Sequence, residues 1–225
     1  MAEQLGLRAD AILHDLVGLG CGAAIPTLRA ASHLIAARPE AVVACVAVEI
    51  CSAAFYLDDD YGVLVSACLF SDGAAATIWR GQPGPTGLRA HGFRSLHRPE
   101  MRDLLRFETR QGKLRNLLDR SVPTAAATAV AELFAGERAA PPAATLVHPG
   151  GRDVLDAITA VLPGYSLDAS RAVLSACGNM SSPSVLFVLE EHLRTHRAPA
   201  GDIWLVSFGA GFSAHACRLS LNGKG

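Results

Sequence analysis

The chain has no CxxC pair, no long apolar run, no secretory start and little charge of either sign. Six cysteines, Cys21, Cys45, Cys51, Cys68, Cys177 and Cys217, are scattered through apolar stretches instead. That scatter argues against a zinc site and against a disulfide framework, and for reduced thiols in a cytoplasm. No stretch of roughly 18 or more apolar residues occurs, so a membrane span is not expected. The start, MAEQLGLRAD, lacks the basic residues and apolar run of a signal peptide. Twenty basic and 21 acidic residues give a net charge of −1. Such a balance draws neither nucleic acid nor an anionic membrane. Only 18% of residues are charged while 50% are hydrophobic. That ratio implies layers buried on both faces or a large subunit interface.

What is present alternates between strand-like and helix-like runs. His14 to Leu19 reads as a short buried strand leading into a helix over Ala24 to Ala37, with Ile25, Leu28, Ala31, Leu34 and Ile35 on one face. Ala41 to Glu49 is an unbroken apolar run, as expected of a strand covered on both faces. Asp72-Gly73 breaks the chain before a strand over Ala74 to Trp79, and Gln82 to Gly87 is a loop suited to joining two halves. Beyond it, the pattern predicts a strand over Arg89 to Leu96, helix around Lys113 to Leu118, and an Ala-rich helix over Thr124 to Phe134. After a linker over Gly136 to Ala144 come a strand ending at His148, helices over Arg152 to Val161 and Ser184 to Thr195, and two strands, Asp202 to Phe208 and Ala214 to Leu221. Gly209-Ala210-Gly211 suits a hairpin between the last two. Ala67 to Trp79 and Trp204 to Leu219 share a strand–turn–strand pattern, a weak internal repeat. Helices between buried strands make an α/β chain of layered architecture.

Three short segments carry chemistry: Gly20-Cys21-Gly22-Ala23-Ala24, His148-Pro149-Gly150-Gly151 and Gly178-Asn179-Met180-Ser181-Ser182. Each sets a reactive side chain beside residues that let backbone come close. A thiol attacks a thioester only as thiolate, and a free pKa of about 8.5 leaves little of it at neutral pH. An imidazole can hold the proton, and with an amide N–H it can stabilise an oxyanion. Cys21 stands where a strand meets a helix, whose N-terminus is expected to lower its pKa. It should then be the fastest of the six thiols toward iodoacetamide. Singly, each residue has an ordinary reading, as a buried cysteine, a core histidine and a turn asparagine; together, in this order, they point to a thiol acyltransferase.

The segments DLVGLGCGAAIPTLRAA, VEICSAAF, LFSDGAAA, VHPGG and LSACGNMSSPSVLFVLEE resemble the chalcone-synthase-like type III polyketide synthases, and more narrowly their bacterial members, within the thiolase-like superfamily. Ketoacyl-carrier-protein synthases of the third class read HQAN and GNTS at the matching places, and thiolases use a second cysteine, so both fit less well. The resemblance implies a layered α-β-α-β-α fold, divided into residues 1–86, carrying the nucleophile, and 87–225, carrying His148 and Asn179. It implies Cys21 as the acyl-accepting nucleophile. His148 and Asn179 would bind the malonyl-CoA carbonyl during decarboxylation. Phe70 would be the gatekeeper between a CoA tunnel and the cavity, whose lining would include Cys51, Ala53, Ala54 and Ser181. Gly209 and Gly211 would shape its wall, with Ala210 where the family's loop has proline. Substrates would be an acyl-CoA starter and malonyl-CoA, with no metal or prosthetic group, in a cytoplasmic homodimer.

Family members have many more residues before the nucleophile than the 20 found here. The resemblance therefore implies an amino-terminally truncated chain whose first half is incomplete and whose second is essentially whole. It would lack the basic residues that hold CoA phosphates and a segment that crosses the dimer. The expectation is then little condensation by the chain alone. The alternative is an impaired fragment, or an interaction partner of a full-length synthase.

Overall fold

A computed structural model describes residues 3–54, 56, 59–82, 84, 87–110, 112–137, 139–195 and 201–221. In chain order these form α1 (Ala24–Ala37), β1 (Val42–Glu49), α2 (Tyr61–Leu69), β2 (Gly73–Arg80), β3 (Leu88–His97), β4 (Leu105–Arg110), β5 (Lys113–Leu118) and α3 (Val122–Ala135). There follow β6 (Ala144–Val147), α4 (Arg152–Val161), α5 (Asp168–Cys177), α6 (Ser184–Thr195), β7 (Ile203–Gly209) and β8 (Ser213–Leu221). Among the described residues no helix is long and apolar enough to cross a membrane.

The molecule is an α/β stack. One sheet has the order β3-β8-β7-β6, with β6 parallel to β7 and the other pairs antiparallel. On one face of it lie α3 and α4. Ala125, Ala126, Ala129 and Val130 of α3 and Leu155 and Ile158 of α4 share a core with Trp204, Val206 and Phe208 of β7. Small side chains on α3 let the helix approach the sheet closely, and its Pro123 stands in the first turn, where no helical N–H is needed. The opposite face packs Leu146, Ile203, Leu205, Cys217 and Leu219 against α1 (Ala24, Ile25, Leu28) and α6 (Val185, Leu186, Val188). Strand β7 is buried at every position, as a strand between two helix layers must be.

A second, two-stranded antiparallel sheet, β1-β2, lies on the far side of that helix layer. Ala47, Ala75 and Trp79 join the shared core from it. Its other face is bare: Val42, Val46 and Ile78 are 60%, 54% and 61% exposed. The expectation that β1 is covered on both faces is therefore corrected. The alternation in burial along β1 and β2 shows one face against α1 and α6 and one in solvent.

Other expectations are corrected as well. His14 to Leu19 forms no strand; no described strand pairs with it, and Val17 is 78% exposed. Lys113 to Leu118 is strand β5, paired with β4, not helix. Helix α5 went unread. The strand expected at the start of the internal repeat, from Ala67, is corrected. Cys68 and Leu69 end α2, and the strand equivalent to β7 is β1, each preceded by a helix (α1, α6) and paired antiparallel with the next copy (β2, β8). Within the Gln82–Gly87 loop, residues 83, 85 and 86 lie outside the described residues.

Candidate active site

Cys21 sits in a 3-10 turn, Gly20–Gly22, immediately before α1. The turn closes through Gly22 N–H to the Leu19 carbonyl (3.1 Å) and Ala23 N–H to that of Gly20 (3.0 Å). Gly20 has φ +52, a left-handed conformation open to glycine at little cost. The turn lies against the end of β7, where a Cβ on Gly209 would stand 2.6 Å from Gly22 N and 2.9 Å from Cys21 N.

His148 extends β6 by one hydrogen bond, its N–H donating to Val206 at 2.9 Å, before Pro149-Gly150-Gly151 turns the chain. The ring is buried edge-on to Phe208 (centroids 5.3 Å apart), and its Nδ1 has no hydrogen-bond partner among the described residues. Asn179 follows α5. Its Oδ1 accepts from Ser181 N–H (2.8 Å), and its Nδ2 donates to the Gly150 carbonyl (3.4 Å). Its backbone is bolted to the loop after α2: Asn179 N–H donates to Leu69 and Ser71 N–H to the Asn179 carbonyl, both at 2.9 Å. Phe70 and Asn179 thereby form a parallel bridge. Ser181 holds φ +60, rare outside glycine, and Met180 N–H donates to Ser184 Oγ (2.8 Å) to fix the loop.

Ser181 thus joins Cys21 to Asn179, and Gly150 joins Asn179 to His148. The Ser181 hydroxyl hydrogen-bonds the Cys21 thiol and stabilises its ionised form. Burial opposes this more strongly, and with Glu49 and Cys51 nearby the thiol is pushed up to about 12. Burial likewise depresses His148 to about 3. Both groups are held neutral, so the expected lowering of the Cys21 pKa is corrected: desolvation outweighs the helix N-terminus. The expected order of thiol reactivity is revised with it, since Cys21 is buried and Cys68 exposed.

Beside the turn opens a cavity lined in part by Gly20, Cys51, Ala54, Phe70 and Ser181. Four of the expected lining residues, Cys51, Ala54, Phe70 and Ser181, are therefore on it. Ala53 is exposed and off the lining; Gly209 lies behind the nucleophile turn and Gly211 faces open space. Other lining residues escaped the sequence reading. Glu49 accepts from Ser182 Oγ (2.7 Å) and borders the cavity. Phe107 and Asn116 reach it from the β4–β5 hairpin, and the Asn116 Oδ1 is buried without a partner among the described residues. The alternation Leu114, Asn116, Leu118 and Gly112 at φ +74 were the signals for that hairpin. No group of three His, Cys, Asp or Glu among the described residues is placed to hold a metal ion.

Two family models match the sequence, one described as FAE1/Type III polyketide synthase-like protein over residues 1–85 and one as chalcone and stilbene synthases, C-terminal domain, over residues 115–216. The chain belongs to the type III polyketide synthase family. The 1,3,6,8-tetrahydroxynaphthalene synthase of Streptomyces peucetius subsp. caesius is 31% identical over 235 residues, covering 97% of this chain and 62% of that relative. The 3,5-dihydroxyphenylacetyl-CoA synthase of Streptomyces toyocaensis is 32% identical over 212 residues, covering 86% and 54%. The chain thus spans little more than half the length of these curated relatives. Among solved structures, the tetrahydroxynaphthalene synthase of Streptomyces coelicolor A3(2) superposes with a TM-score of 0.87 at 29% identity, over 99% of this chain and 66% of that one. Germicidin synthase from Streptomyces coelicolor superposes at 0.90 and 28% identity, over 98% and 61%. The fold is therefore the thiolase-like α/β fold of these synthases.

Proposed function

We propose that the chain carries the condensing chemistry of a type III polyketide synthase: Cys21 takes an acyl group from a CoA thioester, and malonyl-CoA, on losing CO2, attacks that acyl group as an enolate. The observation that supports this reading is that Ser181, which lines an apolar cavity, contacts both the buried Cys21 thiol and the Asn179 carboxamide, whose amide in turn reaches Gly150 beside the buried His148. With thiol and imidazole both neutral, the sulfur reacts only while passing its proton on, and His148 is the base at hand. Gly150 takes one amide proton of Asn179 and leaves the second for a thioester oxygen. That N–H, with the imidazole, supplies the donors on which enolate charge collects. Phe70, Cys51, Ala54 and Ser181 bound the space for the growing chain, whose volume limits starter and length. Ala53, Gly209 and Gly211 would act only as outer wall. Residues 1–86 and 87–225 are read as the two halves of the fold, the first carrying the nucleophile and the second the imidazole and carboxamide. No prosthetic group is needed, since CoA thioesters supply all carbon, and a cytoplasmic setting suits free thiols.

Incubation with acyl-CoA starters should add the acyl mass to the Cys21 peptide, and Cys21→Ala should abolish it. Labelled malonyl-CoA should lose CO2, and His148→Gln or Asn179→Asp should cut that loss by about 100-fold. Acylation spread evenly over all six cysteines would overturn the assignment. The bare face of β1–β2 favours a second reading alongside the first, in which the chain works only in association, as a homodimer or with another synthase polypeptide. Light scattering of the purified chain checks this, and a monomer at micromolar concentration rules out the dimer.

A further inference from the structure

Behind the nucleophile turn stands a histidine that the condensing chemistry does not use. His215 of β8 is 2% exposed. Its Nδ1 lies 2.9 Å from Ser95 Oγ on β3, and its Nε2 3.2 Å from Ser213 Oγ. Ser213 Oγ donates in turn to the Ala210 carbonyl at 3.4 Å. These contacts select one tautomer. Since the Ser213 proton goes to Ala210, Nε2–H donates to Ser213, and Nδ1 accepts from Ser95.

The same ring touches the turn directly. A Cβ on Gly22 would stand 3.2 Å from His215 Cδ2, and one on Gly20 would meet Ala210 Cβ at 3.4 Å. Ser207 Oγ adds a hydrogen bond to the Gly22 carbonyl at 3.2 Å. Of the glycines beside Cys21, Gly22 therefore lies by the imidazole itself, and Gly20 lies by Ala210, whose carbonyl is held by Ser213. The Gly209–Gly211 loop has alanine at its centre, so no proline ring stiffens it.

We propose that His215 is a positioning residue, a neutral brace that holds the Cys21 turn through Gly22 and through the Ser213–Ala210 link. Burial, with His97 of β3 and Arg29 of α1 nearby, keeps the ring neutral, its pKa depressed to about 4. The inference rests on Cys21 being the nucleophile, so the test reads the thiol rather than condensation.

The test is iodoacetamide alkylation of the native chain between roughly pH 6 and pH 10, followed at the Cys21 peptide with exposed Cys68 as internal control. With the brace removed in His215→Leu, Cys21 should react about tenfold faster at neutral pH, as expected when a local opening becomes easier by a factor of ten. Its pH midpoint should fall by about one unit as the thiol gains solvent. Cys68 should stay within about twofold. His215→Gln, whose carboxamide N–H can reach Ser213, should return Cys21 most of the way to the parent profile. Should the leucine variant not fold, Ser213→Ala is read in its place, with a smaller shift in the same direction. A Cys21 profile unchanged in folded His215→Leu or in Ser213→Ala, or a glutamine variant that matches leucine, would overturn the proposal. Absent acyl transfer would count against Cys21 as nucleophile and leave the brace measurable.

Discussion

Gly209 has no room for even a methyl group: a Cβ there would lie 2.5 Å from the Leu19 carbonyl oxygen and 2.6 Å from Gly22 N. Both are backbone atoms of the nucleophile turn and cannot swing aside as a side chain would. Gly209→Ala should cost about 1–3 kcal/mol of stability, measured by urea unfolding, through displacement of that turn. The neighbours single out each candidate residue in the sequence: the glycines around Cys21, the Pro-Gly-Gly after His148, the small residues after Asn179. Their ionisation was not legible there. A helix N-terminus is a local signal, whereas the burial that lifts Cys21 to about 12, helped by the charges of Glu49 and Cys51 and opposed by the Ser181 hydroxyl, exists only once distant segments have packed around the thiol. At pH 7.5, native Cys68 should accordingly alkylate faster than native Cys21, by peptide mapping.

Elements with a strong period and a clear stop came through well. Helices α1 and α4 end where the sequence places them, α1 at Arg38-Pro39, where the proline ring excludes a further helical turn. Helix α6 begins after Pro183 as expected. Strand β5 was misread because Leu114, Leu117 and Leu118 fit helical spacing as well as strand alternation, and only pairing with β4 decides between them. Strand β1 shows a different limit. Its apolar run is genuine, but the run alone does not say which layers cover it. Since Val46 and Ile78 stand on the bare face, Val46→Lys with Ile78→Lys should change the melting temperature by only a few degrees. The same pair should reduce concentration-dependent association, read by light scattering.

At the scale of the whole molecule, burial holds His148 and His215 neutral. His148 and His215 have folded pKa values of about 3 and about 4, both below the ordinary 6.5. An unfolded chain therefore binds protons between these values and 6.5 that the folded chain does not. Their contribution to stability is whole above pH 6.5 and is lost as pH falls toward 4, at about 1.4 kcal/mol per pH unit for each ring. Urea midpoints measured from pH 7 to pH 4.5 should fall steadily, and His215→Gln should flatten the slope by about half. The layered α/β class was visible in the alternation of runs, and the seam between halves was not. That seam is the backbone exchange of Asn179 with Leu69 and Ser71, which ties Asn179 to the loop bearing Phe70. Phe70 and Asn179 therefore share one frame of reference. If the cavity takes a growing chain as proposed, its length would be set by side-chain bulk at Cys51, Ala54 or Asn116 over a fixed backbone, because moving Phe70 would also move Asn179.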